Sequence, residues 1–530
     1  MKKHIFILSL LLVITISCDK PLLDEPIYDF RTPETAFASE ESTNAILLGM
    51  YKTMTAYHYY SSTYSQLLTF NSGWMTRRAG GDADLARLEQ TPTKSWIGSV
   101  YDAIYSSIAQ NNFIIESTSA ESQVEYVRNA RGQAHFFRAM NYFNLVRLFG
   151  PVPLVSRLSK TPEEANVPRA ESVDAVYEFI IADLNKAYDL LPEFQTSGLA
   201  PKQMAAKALL SKVFLTRASS TNNIEYWQRA KNLADSVIQS GIYSLEANYA
   251  DLWNVNNEFT SESIVEFGFS NTTIGVGSAF PHILVPQKSG WSSNGTGGWG
   301  RSVPTRELYD TIVSTHGGVD PRMEVNVVVD YTRTDGKTVT SYPALTKGVA
   351  KVYLPYPSVQ KYKDPNGLDN NSHANNYIYL RYAEILLIYA EAENALNGPT
   401  GNAVGALNQV LLRARNSGDT GLPDDASTAD FASTESFRDR IMVERLSELM
   451  GEFHTWFDAR RYGMDYFTKV CENHNRRLDL AKTQKVFKSA SDFYFGIDAF
   501  TIQRNLLLPI PESEINTNEA ISFEDQNFGY

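Results

Sequence analysis

Cysteine is almost missing from this chain of 530 residues, with Cys18 and Cys471 the only two. A disulfide framework is therefore excluded, and a chain of this length can rest on burial instead. Histidine is sparse too, with eight scattered copies and none in a ligand spacing. His-Glu-x-x-His, Gly-x-Ser-x-Gly and a Walker A loop are all lacking, which removes the usual signatures of zinc, serine and nucleotide hydrolysis. Positive charge is the scarcer sign, 48 Lys and Arg against 60 Asp and Glu, for a net charge of −12. Nucleic acid is held by a basic face, so it is excluded as a partner. Beyond residues 5–16, no apolar run approaches the roughly 20 residues of a membrane-spanning helix.

What is present begins with a 43% hydrophobic and 20% charged composition, enough for folded domains. Lys2 and Lys3 precede the apolar run 5–16, which ends at Ser17-Cys18. This order reads as a lipoprotein export signal over 1–17, with Cys18 the acylated first residue. Acyl chains contribute roughly 0.8 kcal/mol per buried methylene, so several of them anchor durably. Residues 18–33, acidic and punctuated by Pro21 and Pro26, form the lipidated start and tether. The expected attachment to a membrane is by lipid alone.

Residues 34–246 follow a helical pattern. Val127, Ala130, Ala134 and Phe137 make one apolar stripe, stopped by Gly150-Pro151, and Trp227, Ala230, Ala234, Val237 and Ile238 make another, closed by Gly241. Stacked helix pairs of this kind predict a mostly α fold, a tetratricopeptide-like superhelix. Residues 247–375 are rich in Gly and Pro and hold short β-type runs at 263–269 and 325–331. We read them as a loop-rich insertion with small β elements, where ligand contacts tend to be built. Helical pattern returns over 376–530, at 377–396, 403–415 and 437–451, before an extended C-terminal stretch.

Two local motifs are weak. Gly295-Thr-Gly297-Gly-Trp-Gly300 matches a dinucleotide fingerprint, but neither a strand before it nor a helix after it is expected. Asp364, Asn366, Asp369, Asn370 and Asn371 could form an oxygen cage for a structural calcium, and a polar turn explains them equally. No cofactor is otherwise expected.

Four stretches, in this order, resemble the SusD/RagB nutrient-binding lipoproteins of Bacteroidetes outer membranes. They are 131–154 (Arg131-Gly-Gln-Ala-His-Phe-Phe-Arg138 through Gly150-Pro-Val-Pro153-Leu) and 379–392 (Tyr379-Leu-Arg381-Tyr-Ala-Glu384 through Glu391-Ala). They continue with 444–463 (Glu444-Arg445 through Glu448, Glu452, His454, Trp456, Asp458, Arg460-Arg461 and Gly463) and 508–515 (Leu508-Pro-Ile-Pro511-Glu-Ser-Glu514-Ile). The resemblance implies a non-enzymatic, surface-exposed outer-membrane lipoprotein that delivers oligosaccharide to a SusC-like TonB-dependent transporter. Peptide cargo is the alternative, and a surface glycoside hydrolase a more distant one. Arg381, Glu384, Glu391, Glu444, Arg445 and Arg460 lie on apolar helices, so they are expected to be buried in interhelical ion pairs.

A glycan site wants flat aromatics for sugar faces and amide or charged groups for hydroxyls. Trp74, with Arg77 and Asp82 beside it, and Trp291, with Asn294, sit among polar loop residues and are the first candidates. Trp299 has a structural reading as well, because Arg301-Ser-Val-Pro304 after it resembles a common family segment, and it stays among the candidates. Tyr57, Tyr59 and Tyr60 cluster with His58 and come next. Trp96, Trp227 and Trp456 are expected in the core.

Overall fold

The computed structural model describes residues 36–77, 82–273, 275–340, 357–483 and 494–530. The export signal, Cys18 and the tether to residue 33 lie outside the described residues. Helices of eight or more residues are α1 (Glu40–Met54), α2 (Thr63–Phe70), α3 (Ser95–Ser117), α4 (Glu125–Phe149), α5 (Val173–Leu190), α6 (Gln203–Thr221) and α7 (Ile224–Ser240). They continue with α8 (Arg306–Thr315), α9 (Tyr382–Asn397), α10 (Gly401–Asn416), α11 (Thr434–Glu448) and α12 (Gly463–Thr483). The strands are β1 (Met75–Arg77), β2 (Ser263–Phe267), β3 (Ser302–Pro304), β4 (Val327–Val328), β5 (Asp330–Thr332), β6 (Thr338–Thr340), β7 (Ser358–Val359) and β8 (Tyr377–Arg381).

Local chemistry sets the helix ends. Ser39 caps α1 in a reciprocal box with Ser42, and Ser172 and Thr305 cap α5 and α8. Gly150 (φ 72°) ends α4 and Gly241 (φ 64°) ends α7, in the left-handed backbone that glycine tolerates best. From α3 to α7 each helix packs on the next, and α7 then packs on α9, which also meets α10 and α11. The helical array therefore continues across residues 247–375. That region pairs β4 with β7 and β5 with β6 within itself, and joins the rest of the chain through β3 with β1 and β2 with β8, all antiparallel. It also contains α8 and a short helix at Pro321–Asn326.

Residues 377–381 correct the helical reading of 377–396. They form β8, paired with β2 and buried throughout, and helix begins only at Tyr382. Tyr-Ile-Tyr-Leu suits a buried strand, and the partner strand lies more than a hundred residues away in sequence. The C-terminal stretch straps the array, with Leu508 N–H donating to Leu148 and Glu512 N–H to Pro92.

Two buried ionic networks run through the core. Arg381 reaches Glu262 (2.7 Å), Glu448 (2.6 Å) and Glu452 (2.8 Å), and Arg322 reaches Glu448 (2.8 Å) and Glu444. Arg413 closes the set on Glu262 and Glu448. Burial alone would raise the Glu448 carboxyl, but the surrounding arginines drive it down to about 2. The second network joins Lys212 and Arg445 to Glu384 (2.9 and 2.8 Å), and Arg445 to Asp458 (2.9 Å). Arg461 there holds Asp458 and Glu391. The ion pairs expected of Arg381, Glu384, Glu391, Glu444 and Arg445 are thus present. Arg460 is the exception. It is buried with no acid partner among the described residues, donating to the carbonyls of Asn505 and Asn71 and lying over the rings of Trp456 and Phe467. Burial pulls its pKa down to about 9.

Candidate functional site

The structure sorts the proposed aromatics by burial. Tyr59 (0% exposed), Tyr60 (1%) and Trp74 (7%) are part of the hydrophobic core. Tyr59 and Tyr60 stack on each other, and Tyr60 also lies on Phe267, so neither offers a free face. Arg77 is likewise buried in β1, and the Asp82 carboxylate is taken by Lys94. Tyr59, Tyr60 and Trp74 are corrected from ligand candidates to packing residues, because a buried ring has no face to offer a sugar; Arg77 is corrected to a buried strand residue and Asp82 to a partner of Lys94. Only Tyr57 of the three tyrosines reaches solvent, at 42% exposure, from a π-helical turn at Tyr57–Ser61. Trp227 and Trp456 are buried as expected, while Trp96 is partly buried.

Trp291, Asn294 and Trp299 remain together on one loop between the short helix Phe280–Leu284 and β3. Its shape depends on glycine. A Cβ on Gly297 would lie 2.5 Å from Ser289 N, and one on Gly298 would lie 2.4 Å from the carbonyls of His282 and Val285. The Gly295–Gly300 motif thus serves backbone approach, and it leads into β3.

A second loop, 363–373, braces the first. Asp364 N–H donates to Trp291 O (3.0 Å), Asn294 N–H to Gly367 O (2.9 Å), and Asn294 Nδ2 to Leu368 O (2.8 Å). Beneath them, Ser292 Oγ lies 3.0 Å from His282 Nδ1 and 3.1 Å from His373 Nε2. Burial and the neighbouring His373 lower His282 to about 4, so its ring is neutral at physiological pH. The two acids among the proposed calcium donors are engaged within the second loop. Asp364 accepts from the N–H of Asn366 and Ala374, and Asp369 from that of Asn371. No cluster of three or more His, Cys, Asp or Glu side chains is placed to hold a metal among the described residues.

The result is a half-buried aromatic ledge. Trp291 meets Tyr331 of β5 at 5.9 Å and 47°, and Tyr331 OH donates to Gln287 O (3.1 Å). Lys363 Nζ lies 4.0 Å from the Trp291 ring centre. Trp299 and His282 meet in a T-shaped contact (4.9 Å, 77°), and the Arg301 guanidinium lies 4.3 Å from the Trp299 ring centre. Asn294 stands exposed beside them. Flat rings, an amide and two cations are equipment for gripping a saccharide rather than for breaking a bond. Sequence reasoning missed Tyr331 and Lys363, because nothing local marks a tyrosine or a lysine that a distant loop will meet.

A cleft of about 530 Å³ elsewhere on the protein shares no residue with this ledge. It lies between α1, α4 and the 192–200 loop, with exposed Phe194 and the amides of Asn129, Gln133 and Gln195 among its walls.

Residues 219–530 match the SusD family, and residues 23–215 match the family described as "Starch-binding associating with outer membrane". The chain belongs to the SusD family. SusD-like protein P2 of Formosa agariphila is 25% identical over 476 residues, covering 87% of this chain and 91% of that one. A SusD homolog from Bacteroides thetaiotaomicron superposes with a TM-score of 0.76 at 22% identity, over 94% of this chain and 99% of the other. A laminarin-binding SusD-like protein superposes at 0.66 with 24% identity, covering 92% and 99%. Members of this family are binding proteins rather than enzymes. No helix is long and apolar enough to cross a membrane among the described residues.

Proposed function

We propose that this protein is a lipid-anchored, surface-exposed outer-membrane lipoprotein that binds oligosaccharide and hands it to a SusC-like TonB-dependent transporter. The observation that carries the binding role is the ledge of Trp291 and Trp299 on the SusD fold, with buried Tyr331 packed against Trp291 and backbone hydrogen bonds bracing the loop before ligand arrives. A preformed site avoids the ordering cost that a loose loop would incur on binding. Starch and laminarin, named for the matching family and for one structural relative, support a saccharide as cargo. Anchoring rests on Lys2, Lys3, the apolar run and Ser17-Cys18.

Titration calorimetry against a panel of plant and host oligosaccharides tests the binding role. Stacking between aromatics adds about 0.5–1.5 kcal/mol beyond area, and on that scale Trp291→Ala should weaken the cognate sugar by about 2- to 12-fold. Its melting temperature should stay near that of the parent. Equal affinity in the variant would move the site elsewhere. For anchoring, Cys18→Ala should shift the protein from the membrane to the soluble fraction, and gentle detergent extraction of the parent should recover a large outer-membrane partner.

A further inference from the structure

Both tryptophans of the ledge carry a cation that has no anion. Lys363 and Arg301 make neither an ion pair nor a side-chain hydrogen bond, and their only partners among the described residues are the ring faces of Trp291 and Trp299. The cations nearby are spent: Lys288 of the Trp291 loop and Arg333 of the β5–β6 hairpin both hold Asp335, at 3.2 and 2.7 Å. The acids of the facing loop are occupied as well, since Asp364 and Asp369 accept from backbone N–H groups. Lys363 and Arg301 therefore stand without an ion-pair partner among the described residues, in a chain whose net charge is −12.

We propose that the ledge is selective for acidic saccharides, whose uronate or sulfate groups pair with Lys363 and Arg301 while their rings lie along Trp291 and Trp299. This rests on the glycan reading above and names its substrate class. An acidic protein repels anions in general, so affinity for one has to come from a local excess of positive charge. A charge-assisted hydrogen bond is shorter and stronger than one between neutral groups. The cation over each ring also explains how an otherwise neutral aromatic ledge would prefer a charged sugar to a glucan.

The test uses the mature chain and three probes of equal length: uronate oligosaccharides, sulfated galactan oligosaccharides, and neutral glucans from starch or laminarin. An acidic probe should bind most tightly, and its affinity should fall as sodium chloride rises from low to high ionic strength. Lys363→Gln and Arg301→Gln should each cost the acidic probe about tenfold. They should leave any neutral binding within about twofold, and Lys288→Gln should change neither, because that lysine is already paired. Preference between the uronate and sulfate arms identifies the source of the anion. Neutral glucan binding that is lost in Trp291→Ala and indifferent to Lys363→Gln would overturn the acidic preference while keeping the glycan role. Binding of peptides and of no saccharide in any arm would overturn the glycan role itself. Acidic binding that survives Trp291→Ala unchanged would place the anion elsewhere on the surface and overturn the proposal.

Discussion

In the helical interior Arg322, Arg381 and Arg413 share Glu262, Glu444 and Glu448, every one of them buried. On the ledge Lys363 and Arg301 rest on tryptophan rings and meet no acid among the described residues. Taking a charge out of water costs several kcal/mol unless partners compensate, so interior cations are paired wherever the chain can arrange it. A cation at the surface carries no such obligation and stays available to a ligand. Position, and not residue type, separates scaffold from site.

The sharpest way to break this comparison is to remove an interior acid. Glu448→Ala takes a shared acid from Arg322, Arg381 and Arg413, leaving Arg413 with Glu262 alone, and loss of one buried partner costs about 3–5 kcal/mol. Denaturant unfolding should show that loss, with poor folded yield the extreme outcome. A change under about 1 kcal/mol would mean that water reaches the network and that the interior resembles the surface.

Next comes the contrast between two tryptophans. Trp74→Ala removes a core ring and should cost about 3 kcal/mol of stability, the lower end for such truncations. Trp291→Ala should leave unfolding nearly unchanged and weaken sugar alone. If Trp291→Ala destabilised as much as Trp74→Ala, the ledge would belong to the core.

A smaller effect concerns pH. Burial and the nearby Glu266 raise Glu258 to about 7 from its ordinary 4.5, while Glu266 itself is engaged by Asn376 and the Phe259 N–H. Between pH 4.5 and 7 the folded chain keeps a proton on Glu258 that the unfolded chain has released. Its contribution to stability is therefore full at low pH and lost as pH rises through that window. Glu258→Gln should match the parent's melting temperature at pH 5 and exceed it at pH 8. An equal difference at both values would remove the shift.

The smallest expected effect is none. Phe194, 70% exposed at the large cleft, should be replaceable by Ala without loss of stability or of sugar affinity. A loss of affinity would transfer the site from the ledge to that cleft.

Much of the architecture was readable from local pattern. Gly150 and Gly241 end their helices where the apolar stripes end, because a left-handed cap needs only its own residue and the turn before it. The ordered motifs from Arg131 to Glu514 were legible as family likeness, and the helical array with small strands follows from them. Residues 377–381 were misread as helix because a pairing strand more than a hundred residues away outweighs local preference. Arg460 looked like its paired neighbours, yet its surroundings proved to be carbonyls and rings.

The candidate site divides along the same line. Trp291, Asn294 and Trp299 stood out from their Gly- and Ser-rich setting, but so did Trp74, which the fold seals in the core. Composition and short-range spacing determined by themselves the helical class, the helix ends and the aromatic wealth of the loops. Only the tertiary structure decided which ring keeps a face, which cation lacks an acid, and that Lys363 and Tyr331 meet Trp291. The physical reason is that exposure and pairing belong to a residue's three-dimensional neighbours. For these side chains the neighbours come from distant parts of the chain, where no local spacing records them.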